Sequence, residues 1–247
     1  MDAVNELSLT EHSIVALDCS VDEALKVARQ LQGRACWLKV GMTLFYEAGG
    51  GIVLALKDLG FKVFLDLKMH DIPHQVAHAC STLMNLEPDM LTFHCLGGSC
   101  MLLQAQASLA EAASRRGCNL PISLGVTILT SMDAAQLESI GLETPLDLQV
   151  EKLALIARNS GLSGVVCSPL EASSLRSLLG EDASIVVPGV RLPGQDLGDQ
   201  RRVLTPRMAF NQGASHVVIG RPITQSEDIP KAWDSLCAHL SGREELR

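Results

Sequence analysis

A single (β/α)₈ barrel spanning residues 1–247 is the architecture this sequence predicts, and three observations predict it. Short β-rich runs recur eight times along the chain. Helical patterns separate most of them. Eight such units in about 250 residues is the size of a closed (β/α)₈, or TIM, barrel. Apolar strands separated by helices imply a parallel sheet covered by helices, for which a doubly wound open sheet is the alternative. No Pro/Gly/Ser-rich linker, change of composition or matching sequence repeat divides the chain, so one domain is expected.

The elements follow in order. SIVALD (13–18) is apolar until Asp18, and VDEALKVARQL after it places apolar residues at three- and four-residue intervals, as a helix with one buried face does. CWLKVG (36–41) carries Lys39 near its end, and KVFLDLK (62–68) runs apolar until Asp66 and Lys68. Pro73 is suited to the first position of the next helix, which leaves Asp71 in the loop before it. MLTFHC (90–95) is followed by the helical SCMLLQAQASLAEAASRR, then ISLGVTIL (122–129) and the helical DLQVEKLALIARNSG. Gly117 and Gly161 stand where those two helices should stop. GVVCS (164–168), SIVVPGV (184–190) and HVVIGR (216–221) complete the set.

Composition bounds the function. Hydrophobic residues make up 47% and charged ones 19%, which fits an aliphatic-rich globular protein with a packed core. Acidic residues outnumber basic ones 28 to 20, a net charge of −8, so nonspecific attraction to nucleic acid or anionic membrane is not expected. A phosphate-bearing ligand then needs a local positive site. The eight cysteines form no CxxC pair and are expected to be reduced and mostly buried. The N-terminus lacks a basic stretch followed by an apolar core, and no apolar run reaches membrane-spanning length, so the cytoplasm is the expected compartment.

Polar residues fall at the carboxyl ends of the runs: Asp18, Lys39, Asp66, Lys68, His94, Thr127, Thr130 and Arg221. In a barrel those ends form the face from which active sites are built, so a scatter in sequence becomes a cluster in space. Side chains alternate along a strand, so Asp66 and Lys68 share a face, and with Lys39 and Asp71 they can form an alternating row of two cations and two anions. A structural ion-pair network at the rim is the plainer explanation. Against it, crowded carboxylates raise one another's proton affinity, so such a row is costly unless a ligand completes it.

VVIGRPIT (217–224) has the features of a phosphate site. Gly220 admits close backbone approach, Arg221 supplies a forked cation, and N–H groups at a helix start add donors. The preceding loop, PGVRLPGQDLGDQRR, carries Arg191 and Gln200 and has the length and glycine content of a lid. His70, His74 and His78 are spaced four apart, but Pro73 places His70 before the helix, and the remaining pair lacks a third ligand, so no metal site is expected. His94 is read as a hydrogen-bonded rim residue.

With IVALD, LKVGMTLFYEAG, FLDLKMHDIP, HCLGG, GVTILTS, SGLSGVVCS, VVPGVR and VVIGRPIT in this order, the chain resembles the orotidine 5′-phosphate decarboxylase family in its bacterial form. The DxKxxD core alone is shared with metal-dependent sugar-phosphate decarboxylases and aldolases of the same superfamily, the alternative enzyme reading; HDIP and VTxLTS favour the orotidine one. A nucleotide-binding sensor that lost its chemistry should show broken charge in the row, and all four positions are intact. The resemblance implies a cofactor-free, metal-free conversion of orotidine 5′-monophosphate to uridine 5′-monophosphate, the last step of de novo pyrimidine nucleotide biosynthesis. It implies that Asp18 and Lys39 hold the ribose hydroxyls, that Asp66 faces the substrate carboxylate, and that Lys68 protonates C6. It also implies that Asp71 reaches the neighbouring subunit's site in a homodimer, that Thr130 contacts the pyrimidine, that Gln200, Gly220 and Arg221 bind phosphate, and that Arg191 helps order the lid. One departure stands out: after DIP the family has a residue and then Thr, whereas this chain has His74 and then Gln75.

Overall fold

Eight parallel strands close on themselves in sequence order in a computed structural model that describes residues 9–192 and 204–242. They are β1 (Ser13–Ala16), β2 (Trp37–Gly41), β3 (Lys62–Met69), β4 (Met90–His94), β5 (Ile122–Val126), β6 (Gly164–Val166), β7 (Ser184–Pro188) and β8 (His216–Ile219). The ring closes where Ile14 of β1 lies opposite Val218 of β8 and Trp37 of β2. Closure decides between the two architectures the sequence allowed: the sheet has no open edge, and the doubly wound alternative is set aside.

Side-chain alternation divides the core in two. Ile14, Ala16, Trp37, Phe64, Met90, Leu124, Val186 and Val218 fill the barrel interior as one buried cluster. Their neighbours in sequence, among them Val15, Leu38, Leu65, Leu91 and Val217, join a second cluster beneath the helices. Strands buried on both faces read as continuous apolar runs, which is why the runs stood out in the sequence.

The helices are set by local chemistry. In α1 (Val21–Leu31) the Glu23 carboxylate accepts from the Ser20 backbone N–H at 3.2 Å and from its hydroxyl at 2.7 Å. After α2 (Met42–Ala48) and α3 (Gly51–Asp58), α4 (Pro73–Leu83) opens on Pro73 as expected. Next, α5 (Gly98–Arg116) ends at Gly117 in the left-handed region, φ +66°. The Ser108 hydroxyl ties α5 to the Ala77 carbonyl of α4 at 2.6 Å. The remaining helices are α6 (Ala134–Ser139), α7 (Leu146–Asn159), α8 (Ala172–Leu179), α9 (Pro206–Asn211), α10 (Arg221–Thr224) and α11 (Ile229–Leu240). No helix among the described residues is long and apolar enough to cross a membrane.

Several strands are shorter than their apolar runs. SIVALD stops pairing as a regular strand at Ala16, ISLGVTIL at Val126 and HVVIGR at Ile219. The trimmed residues include Asp18 and Arg221, whereas Lys39, Asp66 and Lys68 lie inside β2 and β3. The cysteines are free thiols, but fewer are buried than expected: Cys80, Cys95 and Cys167 are buried, Cys100 is exposed, and the other four are intermediate. Half-buried thiols are cheap for a fold because sulfur is a weak hydrogen-bonding group.

Candidate active site

The carboxyl ends of β1, β2 and β3 bring four charged side chains into line. Ala16 and Phe64 both pair with Lys39, and Gly41 pairs with Asp66, so Lys39 lies two residues below Asp66 on the neighbouring strand and its side chain reaches up between Asp18 and Asp66. Lys39 Nζ lies 2.9 Å from Asp18 Oδ1 and 3.7 Å from Asp66 Oδ2. Lys68 Nζ lies 3.1 Å from the same Asp66 Oδ2. The side chains of Lys39 and Asp66 are only 9% and 12% exposed. Buried charges at this depth are held by their mutual pairing, since an unpaired one would carry a large desolvation cost.

The backbone of β3 is bent to allow this. Leu65 pairs with Leu91 and Met69 with Phe93, so four steps along β3 face two along β4. Lys68 within that bulge has φ +48°, the left-handed region that a side chain with a Cβ seldom occupies. Its N–H donates to Thr92 Oγ1 at 2.8 Å, and the Thr92 hydroxyl donates to Asp66 Oδ1 at 2.9 Å.

The row differs from the one the sequence suggested. Within one chain it runs Asp18, Lys39, Asp66, Lys68. Asp71 does not join it: Asp71 is exposed, and its Oδ1 accepts from the Ile72 N–H at 2.6 Å. Asp71 lies past the end of β3, two residues before Pro73 opens α4.

One cleft of about 430 Å³ gathers Asp18, Lys39, Asp66, Lys68, Thr130, Arg191, Gly220 and Arg221. That volume suits a nucleotide-sized ligand. Phe64, Val166 and Val218 form an apolar floor, so the charged row borders a surface fit for a flat ring. On the far side Arg221 opens α10 and is exposed, available to an anion. The expected backbone donors are fewer than the sequence implied: Pro222 has no N–H, and the Ile223 and Thr224 N–H groups both donate to the Gly220 carbonyl. Arg191 donates to the Val190 carbonyl at 2.9 Å. Gln200 lies outside the described residues.

His74 and His78 pair on α4, ring centres 4.3 Å apart, and no group of three or more His, Cys, Asp or Glu among the described residues is arranged to hold a metal ion. His94 stacks on His70 with ring centres 5.4 Å apart. Burial, and then the charges of His70 and Lys68, push His94 down to about 4, so it is neutral near pH 7. Its Nδ1 accepts from the Leu96 N–H at 3.4 Å, which leaves the ring proton on Nε2.

Reasoning from sequence passed over two residues that shape this site. A Cβ at Gly41 would sit 2.9 Å from Asp18 Oδ1 and 3.0 Å from Lys39 Nζ, so glycine there makes room for the ion pair. Thr92 was hidden in an apolar run, and the signal that could have found it was parity: in MLTFH, Met90, Thr92 and His94 all face inward. Thr224 and Gln225, which also line the cleft, carried no comparable signal.

Comparison with known proteins shows the family. The family described as orotidine 5′-phosphate decarboxylase / HUMPS matches residues 12–236. An orotidine 5′-phosphate decarboxylase of Synechococcus sp. is 45% identical over 94% of this chain and 96% of its own length. That of Nitrosococcus oceani is 46% identical over 92% of this chain and 97% of its own. The crystal structure of orotidine 5′-phosphate decarboxylase from Lactobacillus acidophilus superposes with a TM-score of 0.81 at 38% identity, covering 93% of this chain and 99% of the other.

Proposed function

The chain belongs to the orotidine 5′-phosphate decarboxylase / HUMPS family and converts orotidine 5′-monophosphate to uridine 5′-monophosphate in pyrimidine biosynthesis, and from that premise we propose how its cleft does so. The observation that carries the reading is Lys68 Nζ held 3.1 Å from a nearly buried Asp66, beside an apolar floor.

Loss of carbon dioxide breaks the bond between C6 and the carboxylate and leaves the electron pair on C6. No sink for that pair exists in the pyrimidine plane, so a fixed cation beside C6 has to stabilise it. Lys68 supplies the field and then the proton, which passes from Nζ to C6, and the neutral amine regains a proton from water. Asp66 faces the departing carboxylate and fixes the ammonium. Lys39, bridging Asp18 and Asp66, and Asp18 itself hold the ribose hydroxyls, and Thr130 meets the pyrimidine. Gln200, Gly220 and Arg221 hold the phosphate, with Arg191 helping to order the lid. Phosphate binding far from C6 contributes by closing the site around the charged row.

Asp71 is exposed and does not line its own cleft, which supports the reading that it completes the site of a partner subunit in a homodimer. Gln75 would stand beside that shared edge, offering an amide where the family has a hydroxyl. The whole chain acts as one domain, needs no cofactor or metal, and works in the cytoplasm as the closing step of the de novo route.

The test is the loss of ultraviolet absorbance when the purified protein meets orotidine 5′-monophosphate in EDTA. Turnover undiminished by the chelator is expected. Turnover that requires an added divalent ion would overturn the metal-free scheme and move the protein toward the sugar-phosphate side of its superfamily.

A further inference from the structure

We propose that Thr92 is a positioning residue for the reaction, its single hydroxyl setting both the backbone and the ammonium of Lys68; this rests on the reading of Lys68 as the proton donor. The β3 bulge takes the Lys68 amide out of the regular ladder and leaves its backbone at φ +48°. A buried amide there needs an acceptor. Thr92 lies across from the bulge on β4, is fully buried, and turns its side chain inward with Met90. Its Oγ1 accepts the Lys68 N–H at 2.8 Å, and its one proton goes to Asp66 Oδ1 at 2.9 Å.

The other oxygen of that carboxylate holds Lys68 Nζ at 3.1 Å. The four groups therefore close a ring: Lys68 N–H to Thr92 hydroxyl, hydroxyl to Asp66 Oδ1, and Asp66 Oδ2 to the Lys68 ammonium. A hydroxyl has one proton to give, so donating it to Asp66 leaves only lone pairs toward Lys68, and the direction of both bonds is set. Removing the oxygen leaves a buried N–H without an acceptor and a carboxylate free to rotate about its remaining bonds. Lys68 would then be tethered at one end only. Small displacements of a reacting group carry large rate costs, whereas the phosphate and ribose contacts lie elsewhere in the cleft.

Valine at 92 keeps the shape and removes the oxygen; serine keeps the oxygen and removes a methyl. In Thr92→Val, kcat for orotidine 5′-monophosphate is expected to fall on the order of tenfold to hundredfold, while the inhibition constant of the product, uridine 5′-monophosphate, stays within about twofold. Thr92→Ser is expected to restore kcat to within about threefold of the parent. Amide hydrogen exchange at Lys68, measured without substrate, should accelerate in Thr92→Val and not in Thr92→Ser. Wild-type kcat in Thr92→Val, or equal loss in both variants, would overturn the proposal, the second result assigning the effect to packing at position 92 rather than to the hydroxyl. The exchange measurement stands apart from turnover. A parent protein inactive on orotidine 5′-monophosphate would sink the reading of Lys68, while unchanged Lys68 exchange in Thr92→Val would sink the hydroxyl bridge itself.

Discussion

At the scale of single residues the site is an exercise in holding charge in a confined space. Lys68 has three demands on it: a left-handed backbone, a carboxylate 3.1 Å from its ammonium, and a face toward the cleft. In the proposed scheme alanine removes the cation that faces developing charge, so Lys68→Ala is expected to lower kcat by at least about 10⁴-fold. Far-ultraviolet circular dichroism and cooperative unfolding should be retained, because the side chain contributes to no apolar cluster. Measurable turnover near the parent rate would remove Lys68 from its role. Gly41 makes a subtler prediction. The methyl of Gly41→Ala would press on Asp18 and Lys39 from 2.9 and 3.0 Å, pushing the pair apart without touching the core. A fall in kcat/KM of about tenfold with an unchanged thermal midpoint is expected from steady-state kinetics and calorimetry.

At the scale of elements the closed sheet sets the tolerances. Strands β6 and β7 approach so closely at Gly164 that a Cβ there would meet the Ser184 carbonyl, a backbone group that cannot swing aside. Gly164→Ala must therefore push two strands of a closed ring apart. A loss of about 1–3 kcal/mol or more is expected in urea unfolding, and an unchanged midpoint would contradict the close approach. The sequence showed GVVCS as a strand but gave no reason for its first residue. The neighbour that makes it glycine lies twenty residues further on. The same holds for the bulge in β3: KVFLDLK reads as a regular strand, and only its pairing with β4 shows that Asp66 and Lys68 are separated by a distortion.

At the scale of the whole molecule two predictions follow from what is enclosed and what is left outside. His216 sits at the amino-terminal end of the barrel, edge-on to Trp37 with ring centres 5.6 Å apart. Burial, then the charges of His12 and Lys62, push it from 6.5 down to about 3. The folded chain keeps this ring neutral while the unfolded chain protonates it below about pH 6.5. Between pH 6.5 and about 3 the unfolded state binds more protons, so stability falls as pH falls, by at most about 1.4 kcal/mol per pH unit from this group. Urea midpoints across pH 7 to 4.5 should show that slope, and His216→Asn should flatten it. The second prediction concerns Asp71. If it serves a partner's cleft, Lys68→Ala and Asp71→Asn should each be inactive alone. Mixed under subunit exchange, they should recover about a quarter of the parent activity, since half the dimers carry one intact site. A mixture with no gain would place Asp71 outside the shared site.

Much of this protein was legible in one dimension. Strand number, the carboxyl-end position of Asp18, Lys39, Asp66, Lys68 and Arg221, and the family resemblance all follow from residues close in sequence. Burial on both faces of a strand and the turn to polar residues at its end are local signals. What only the tertiary structure decided depends on neighbours distant in the chain. Closure of the sheet, the glycine at 41 between two charges, Thr92 beneath Lys68, and the departure of Asp71 from the row are of this kind. So is the loss of two expected backbone donors to the Gly220 carbonyl. A sequence records which groups a strand carries and which face they share. The partner of each hydrogen bond, and the space left for each Cβ, are set by the strand beside it.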